Sequence, residues 1–250
     1  MTLKSAQYSL IFHGTGSGGE LSMGCSAATL MDAKHNPLLL IDCGPGTVSA
    51  FQQQFNQLPA AVFITHGHMD HIADLEILAV RAHLQKVPPI RLYVPLSLIG
   101  LLHQRLATYP GLLAEGGLDF WQSFQLLPVT DHFHWAGLTF QLWPTRHHAP
   151  GSSFALHVPG LFLYSGDTRP IPEIVHHQLS GQEVVFHDCG VEPNPSHTGL
   201  ADLAREYQPN WLHRFVLYHY ANAEAATLLR QAGYTVAAPK DIFTLPARGA

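Results

Sequence analysis

Residues 60–64 (Ala-Ala-Val-Phe-Ile) are apolar enough to form a short buried strand, and they run directly into Thr65-His66-Gly67-His68-Met69-Asp70-His71. No other stretch constrains the fold as tightly. His66 and His68 stand two apart on an extended strand end, so both side chains point the same way. Asp70 and His71 fall at the start of a helix predicted over 71–85. In that helix Ile72, Leu75, Leu78, Ala79 and Ala82 keep the helical period. A small turn between the two pairs aims Asp70 and His71 at a second point nearby. Such a loop can present ligands to two adjacent cations, and imidazole nitrogen with carboxylate oxygen is a donor set that suits zinc. The competing reading is a chance cluster in a chain with 18 histidines. Four ligand-type residues at this spacing, directly after a strand, weigh against chance.

Four residues cannot complete two metal sites, so further ligands must come from elsewhere. The candidates also sit where strand signals end. His147 and His148 follow strand 138–143, Asp167 follows 161–164, and His219 follows 214–218. A lone histidine is more often structural, but a shared placement at strand ends, the usual edge for sites in α/β folds, raises all of them together. Further strand signals lie at 7–12, 26–31, 38–41, 90–94, 124–129, 153–158 and 183–186. Helix signals lie at 47–57, 97–107, 170–179, 198–207 and 222–232, while 109–122 reads as Gly-rich and irregular. With no linker or repeat, one α/β domain of stacked layers over residues 1–250 is the simplest architecture. Gly14-Thr15-Gly16-Ser17-Gly18-Gly19 matches G-x-G-x-x-G, yet another glycine and no helical stripe follow it. It is read as a flexible turn near a site and not as a dinucleotide loop.

Composition removes several functions. Only 13 residues are Lys or Arg and the net charge is −5. A chain that grips long nucleic acid needs more phosphate-neutralising side chains than that. Three cysteines without a CxxC pair argue against a disulfide scaffold or a Cys-rich zinc module. The opening MTLKSAQYSLIFHG has too short an apolar stretch for a signal peptide. No run of about 18 apolar residues suggests a membrane span. A soluble cytoplasmic protein is the default expectation.

The loop HGHMDH resembles the signature of the metallo-β-lactamase fold superfamily. His13-Gly-Thr-Gly-Ser-Gly, Leu40-Ile-Asp-Cys-Gly-Pro-Gly-Thr47 and Tyr164-Ser-Gly-Asp-Thr168 are similar to ribonuclease Z and its phosphodiesterase relatives. So is Ser196-His197-Thr198, placed 22 residues before His219. The similarity runs over about residues 8–225. It implies a four-layer αββα sandwich with two divalent metal ions in a cleft at the sheet edges. Zinc is the default, with manganese or iron tolerated by the same ligands. By the same resemblance His66, His68 and His147 hold one metal, Asp70, His71 and His219 hold the other, and Asp167 bridges them. His147 is preferred to His148. His197 faces the scissile phosphate, Asp188 supports His197, and Asp70 also orients the nucleophile.

The departures narrow the expected substrate. Ribonuclease Z usually carries a long tRNA-gripping arm between its third histidine and bridging aspartate, whereas nineteen residues separate His147 from Asp167 here. The short form resembles phosphodiesterases of small substrates, cyclic phosphates and cyclic nucleotides among them. The rival readings are a tRNA 3′-processing endonuclease with an arm supplied elsewhere, a lactonase or thioesterase on the same fold, and a non-catalytic binding protein. A carbonyl substrate would not need His197. Region 86–136 is expected to shape the pocket or a homodimer contact. His83, His103, His132, His134, His157, His176 and His177 are read as surface or packing residues. His132 and His134 alternate with Phe133 and Trp135 as in a half-buried strand. Arg169 reads equally as a phosphate contact and as a helix-end ion pair.

Overall fold

The computed structural model describes residues 8–18, 20, 22–108 and 117–247. Two seven-stranded sheets form its centre. In the first, β1 (Ser9–Gly14), β2 (Ala27–Met31) and β3 (Pro37–Ile41) make an antiparallel meander. Next, β4 (Ala61–Phe63), β5 (Ile90–Pro95) and β6 (Phe124–Val129) join parallel to β3. In the second, β7 (His132–Trp135), β8 (Leu138–Pro144), β9 (Phe154–Val158) and β10 (Phe162–Tyr164) are antiparallel neighbours. They are followed in parallel by β11 (Val184–Asp188), β12 (Phe215–Tyr218) and β13 (Thr235–Val236). The last strand, β14 (Ile242–Thr244), returns to pair antiparallel with β1. The β7–β8 hairpin closes on Ala136 and Gly137, both at positive φ (49° and 76°), as a two-residue turn matched to strand twist requires.

Period-two alternation decides which side chains fill which layer. Phe162, Tyr164, Phe186, Val216 and Tyr218 face the first sheet, while Leu163, Val185, Phe215 and Leu217 face the opposite way into a second core. Phe12 of β1 bridges the sheets. It is fully buried, with ring centroids 5.6 Å from Phe186 and 5.5 Å from Tyr218. Helices α1 (Thr47–Phe55), α2 (Met69–Ile72) and α3 (Asp74–Leu84) add Val48, Phe51, Ile72, Leu75 and Leu78 to the core of the first sheet. After the short α4 (Ile99–Leu102), the second sheet is covered by α5 (Pro172–Gln178), α6 (Leu200–Glu206), α7 (Pro209–Leu212) and α8 (Ala223–Gln231). Helix, sheet, sheet and helix stack in that order, and the four-layer expectation holds. Among the described residues no helix is long and apolar enough to cross a membrane.

Several boundaries differ from the sequence reading. The helix expected over 71–85 starts at Met69 and divides at Ala73. The chain after β3 causes the division: the Cys43 N–H takes the His71 carbonyl (2.7 Å) and the Asp74 N–H goes to the Cys43 carbonyl (3.0 Å). The helix expected over 97–107 is a composite of a 3₁₀ turn at Leu96–Leu98, α4, and a π-helical turn at His103–Ala107. Of the stretch read as irregular, residues 109–116 lie outside the described residues, and Phe120–Ser123 form a 3₁₀ turn. Region 86–136 supplies β5 and β6 to one sheet and β7 to the other. Its segment 96–108 leans on the histidine loop: Arg105 Nη1 donates to the Gly67 carbonyl at 2.8 Å. A Cβ on Gly67 would stand 2.5 Å from Leu101 Cδ2.

Candidate active site

Strand ends on both sheets deliver the site. Asp42 follows β3, and Thr65 to Asp70 follow β4. His147 comes after β8, Asp167 after β10, Asp188 closes β11, and His219 follows β12. Asp42 (φ 61°), His148 (φ 59°) and His219 (φ 65°) adopt left-handed backbone, a conformation that costs non-glycine residues energy and that gathers at functional sites.

Two groups of side chains converge. Potential ligand atoms of His66, His68, His147 and Asp167 lie within 4.8 Å of one another, as do those of Asp70, His71, Asp167 and His219. Asp167 belongs to both. Its Oδ2 stands 3.6 Å from His66 Nε2, 3.9 Å from His147 Nε2 and 3.2 Å from His219 Nε2, and its Oδ1 stands 3.4 Å from His71 Nε2. Asp70 Oδ2 closes the second group at 3.4 Å from His71 Nε2 and 4.0 Å from His219 Nε2.

The outer hydrogen bonds fix which nitrogen faces inward. His71 Nδ1 donates to Asp42 Oδ2 at 2.8 Å, and His147 Nδ1 donates to the Ser196 carbonyl at 3.0 Å. Thr65 Oγ1 gives its proton to Asp42 and accepts from His66 Nδ1 at 3.1 Å. With Nδ1 committed outward, Nε2 is the atom each ring turns to the centre, where it offers a lone pair once deprotonated. His68 turns the other way, so that its Nδ1 lies 3.3 Å from His147 Nε2. His66 Nε2, His71 Nε2, His219 Nε2 and Asp167 Oδ1 are buried with no hydrogen-bond partner among the described residues. Buried polar atoms are normally satisfied. Inward lone pairs around a shared carboxylate fit divalent cations of the kind that imidazole and carboxylate bind.

The charge distribution agrees. Burial raises the Asp167 carboxyl, but His219, His71 and His66 outweigh it and hold Asp167 well below the usual carboxylate range. Burial lowers His219, yet Asp167 and Asp188 outweigh it and bring His219 up to about 9. Burial and the neighbouring His71 push His66 well down, and burial with His147 brings His68 to about 4. One group is therefore neutral imidazole ready to donate. The other holds protons that a cation would displace on binding.

Asp188 is fully buried beside this cluster. Its Oδ2 accepts from His197 Nδ1 at 2.8 Å and from the Thr168 N–H at 2.9 Å, and its Oδ1 lies 3.3 Å from His219 Nδ1. His197 is 23% exposed in its side chain, and its ring lies 4.8 Å from that of His147 and 4.9 Å from that of His219. Asp167, Asp188, His197 and His219 also converge closely enough to hold an ion. However, Asp167 and His219 belong to the second group, and Asp188 turns Oδ2 to His197 Nδ1 and Oδ1 towards His219 Nδ1. Asp188 thus faces these two imidazoles from outside both ligand groups.

The structure brings together all nine residues singled out from the sequence. His147 stands inside the cluster, 1% exposed. His148 lies outside it, its exposed ring 4.7 Å from His68 and 4.2 Å from His147. Sequence reasoning gave no role to Asp42, which orients His71 directly and His66 through Thr65. Its signal was a carboxylate at the end of an apolar strand, Leu38-Leu39-Leu40-Ile41-Asp42, where a charge needs a reason. Arg169 forms no helix-end ion pair among the described residues. Its Nε donates to the Arg146 carbonyl at 3.2 Å, and it lines a cavity of about 340 Å³ to which no residue of the cluster contributes. His132 and His134 are exposed on β7, and His157 packs among Gln141, Trp143 and Glu183.

Residues 8–243 match the family described as "Anti-Pycsar protein Apyc1". The protein of that name from Paenibacillus xerothermodurans is 31% identical over 175 residues, 66% of this chain and 70% of that one. Human "Zinc phosphodiesterase ELAC protein 2" is 28% identical over 200 residues, 69% of this chain and 24% of the human protein. Among solved structures, the metallo-β-lactamase fold protein YhfI of Bacillus subtilis superposes with a TM-score of 0.76 at 15% identity. That match covers 95% of this chain and 99% of YhfI, and it shows the fold.

Proposed function

From the premise that this chain belongs to the anti-Pycsar protein Apyc1 family, we propose that it hydrolyses a small phosphodiester, a cyclic nucleotide foremost, with two divalent cations. It is a hydrolytic enzyme of the phosphodiesterase type on the metallo-β-lactamase fold. The finer reading rests above all on His197 and Asp188 standing beside two ligand groups that share Asp167.

His66, His68 and His147 would hold one cation, Asp70, His71 and His219 the other, with Asp167 common to both. When bound, the cations supply Lewis acidity towards the phosphoryl oxygens and lower the pKa of a water. The chain's own residues do the rest. Asp70, partly exposed at the rim, accepts a proton or a hydrogen bond from the attacking water and sets its approach to phosphorus. His197 is the proton donor to the leaving oxygen. Burial works against its charged form, but the hydrogen bond and charge of Asp188 outweigh burial and raise its pKa above the ordinary 6.5. A protonated His197 can neutralise charge on the phosphoryl group and then give its proton to the departing alkoxide. In a cyclic phosphodiester that alkoxide stays tethered to the product, so a single P–O bond breaks and one water is consumed.

The substrate's size follows from what the chain lacks for a larger one. Nineteen residues between His147 and Asp167 leave no room there for a tRNA-gripping arm, and the net charge is −5. A substrate panel tests the reading: a cyclic nucleotide, a linear dinucleotide, an aryl phosphodiester, a lactone and a precursor tRNA. Turnover of the cyclic nucleotide above the others supports it. Turnover of the lactone alone would assign the site to acyl chemistry.

A further inference from the structure

The glycine turn after β1 has no part in the chemistry above, although it stands against the site. It is tethered on both flanks. Gly16 bridges to Cys25 and to Tyr220, the Ser17 N–H donates to the Tyr220 carbonyl at 3.2 Å, and the His219 N–H donates to the Thr15 carbonyl at 2.8 Å. The Tyr220 hydroxyl is fixed in turn, 2.7 Å from Thr15 Oγ1 and donating to the Ala237 carbonyl at 2.7 Å. The turn and His219 are therefore one unit.

These ties bring Gly18 over Asp70. A Cβ on Gly18 would stand 2.8 Å from Asp70 Oδ2 and 3.0 Å from its Cγ, inside the optimal contact distance of about 3.5–4.0 Å between carbon atoms. That Oδ2 is the atom facing His71 Nε2 and His219 Nε2. The demand is for space and not for backbone freedom, because Gly18 is not among the glycines with positive φ. The Asp70 backbone has little room to retreat. Gly44 lies against its other side, where a Cβ would fall 1.6 Å from the Asp70 carbonyl oxygen. Asp70 is held between two glycines, one under its backbone and one over its carboxylate.

We infer that Gly18 is a positioning residue for the second cation: the space left by its missing side chain lets Asp70 Oδ2 close on an ion shared with His71 and His219. The inference rests on the two-cation reading above. It gives the described part of the glycine motif, residues 14–18, a task, keeping a ligand carboxylate unobstructed, in place of phosphate binding; Gly19 lies outside the described residues.

Zinc is the probe. Bound zinc is counted by elemental analysis, and the weaker site is titrated against a chromophoric chelator. Wild type, Gly18→Ala, Asp70→Ala and the double variant are compared, with circular dichroism to establish folding. Wild type should hold two ions. Gly18→Ala should keep the ion of His66, His68 and His147 and bind the second about 10–100-fold more weakly, the scale at which groups that support metal ligands act. Asp70→Ala and the double variant should bind alike, because without the carboxylate the added methyl has nothing to displace. Wild-type affinity for both ions in Gly18→Ala overturns the inference and leaves the two-cation reading standing. So does an equal penalty with and without Asp70, which would assign Gly18 to the turn's own stability. A wild type that never takes up a second ion overturns the two-cation reading itself.

Discussion

His197 Nδ1 stands 2.8 Å from Asp188 Oδ2, and the same carboxylate reaches His219 through its other oxygen at 3.3 Å. One buried charge thus couples the proposed proton donor to a proposed metal ligand. His197→Ala should keep both cations and the fold, and lower kcat by roughly 10²–10⁴. The loss should shrink for an aryl phosphodiester, whose leaving group departs without a proton. Asp188→Asn should cost less, since the imidazole remains. Unchanged rates on both leaving-group types would leave His197 without a part in the chemistry.

The same pair fixes a pH dependence. A donor with a raised pKa is protonated below that value and loses its proton as pH rises through it. The descending limb of kcat should therefore lie above 6.5, the ordinary imidazole value. In Asp188→Asn burial acts without the opposing carboxylate, so the limb should move to lower pH. Rate profiles of the two proteins check this, and coincident limbs would contradict it.

Asp42 contacts no substrate in this account, yet its removal should be felt at the metals. It accepts from His71 Nδ1 and from Thr65, which in turn holds His66. Asp42→Ala should weaken cation binding about 10–100-fold, measured as the free metal concentration at half-loading. Wild-type loading would show that the imidazoles hold their orientation without it.

The interior makes its own prediction. Phe12→Ala removes a fully buried ring lying within 6.3 Å, centroid to centroid, of Tyr164, Phe186, Tyr218 and Phe243. It should destabilise the fold by about 3–5 kcal/mol, read as a shift of the denaturant midpoint. A shift under about 1 kcal/mol would mean that the sheets repack around the gap.

Much of this was legible from residue types at strand ends. His66, His68, Asp70 and His71 announce themselves by spacing, and the family pattern carried His147, Asp167, Asp188, His197 and His219. What stayed hidden depends on contacts between distant segments. Asp42 matters because folding sets it under His71, 29 residues away. The break at Ala73 arises because Cys43 takes hydrogen bonds that helical periodicity assigns to the helix. The strand β14 carries no alternation over its three residues and exists because β1 offers an open edge. Gly18 reads as part of a loop motif until Asp70 is placed beneath it.

The proposed hydrolysis of a small cyclic phosphodiester depends on divalent cations. The most direct measurement is conversion of a cyclic nucleotide to its linear monophosphate by the purified protein, before chelation, after chelation and after restoring zinc. We predict turnover that chelation abolishes and zinc restores. Turnover unchanged by complete removal of metal, or none from fully loaded enzyme on any cyclic nucleotide, would contradict it.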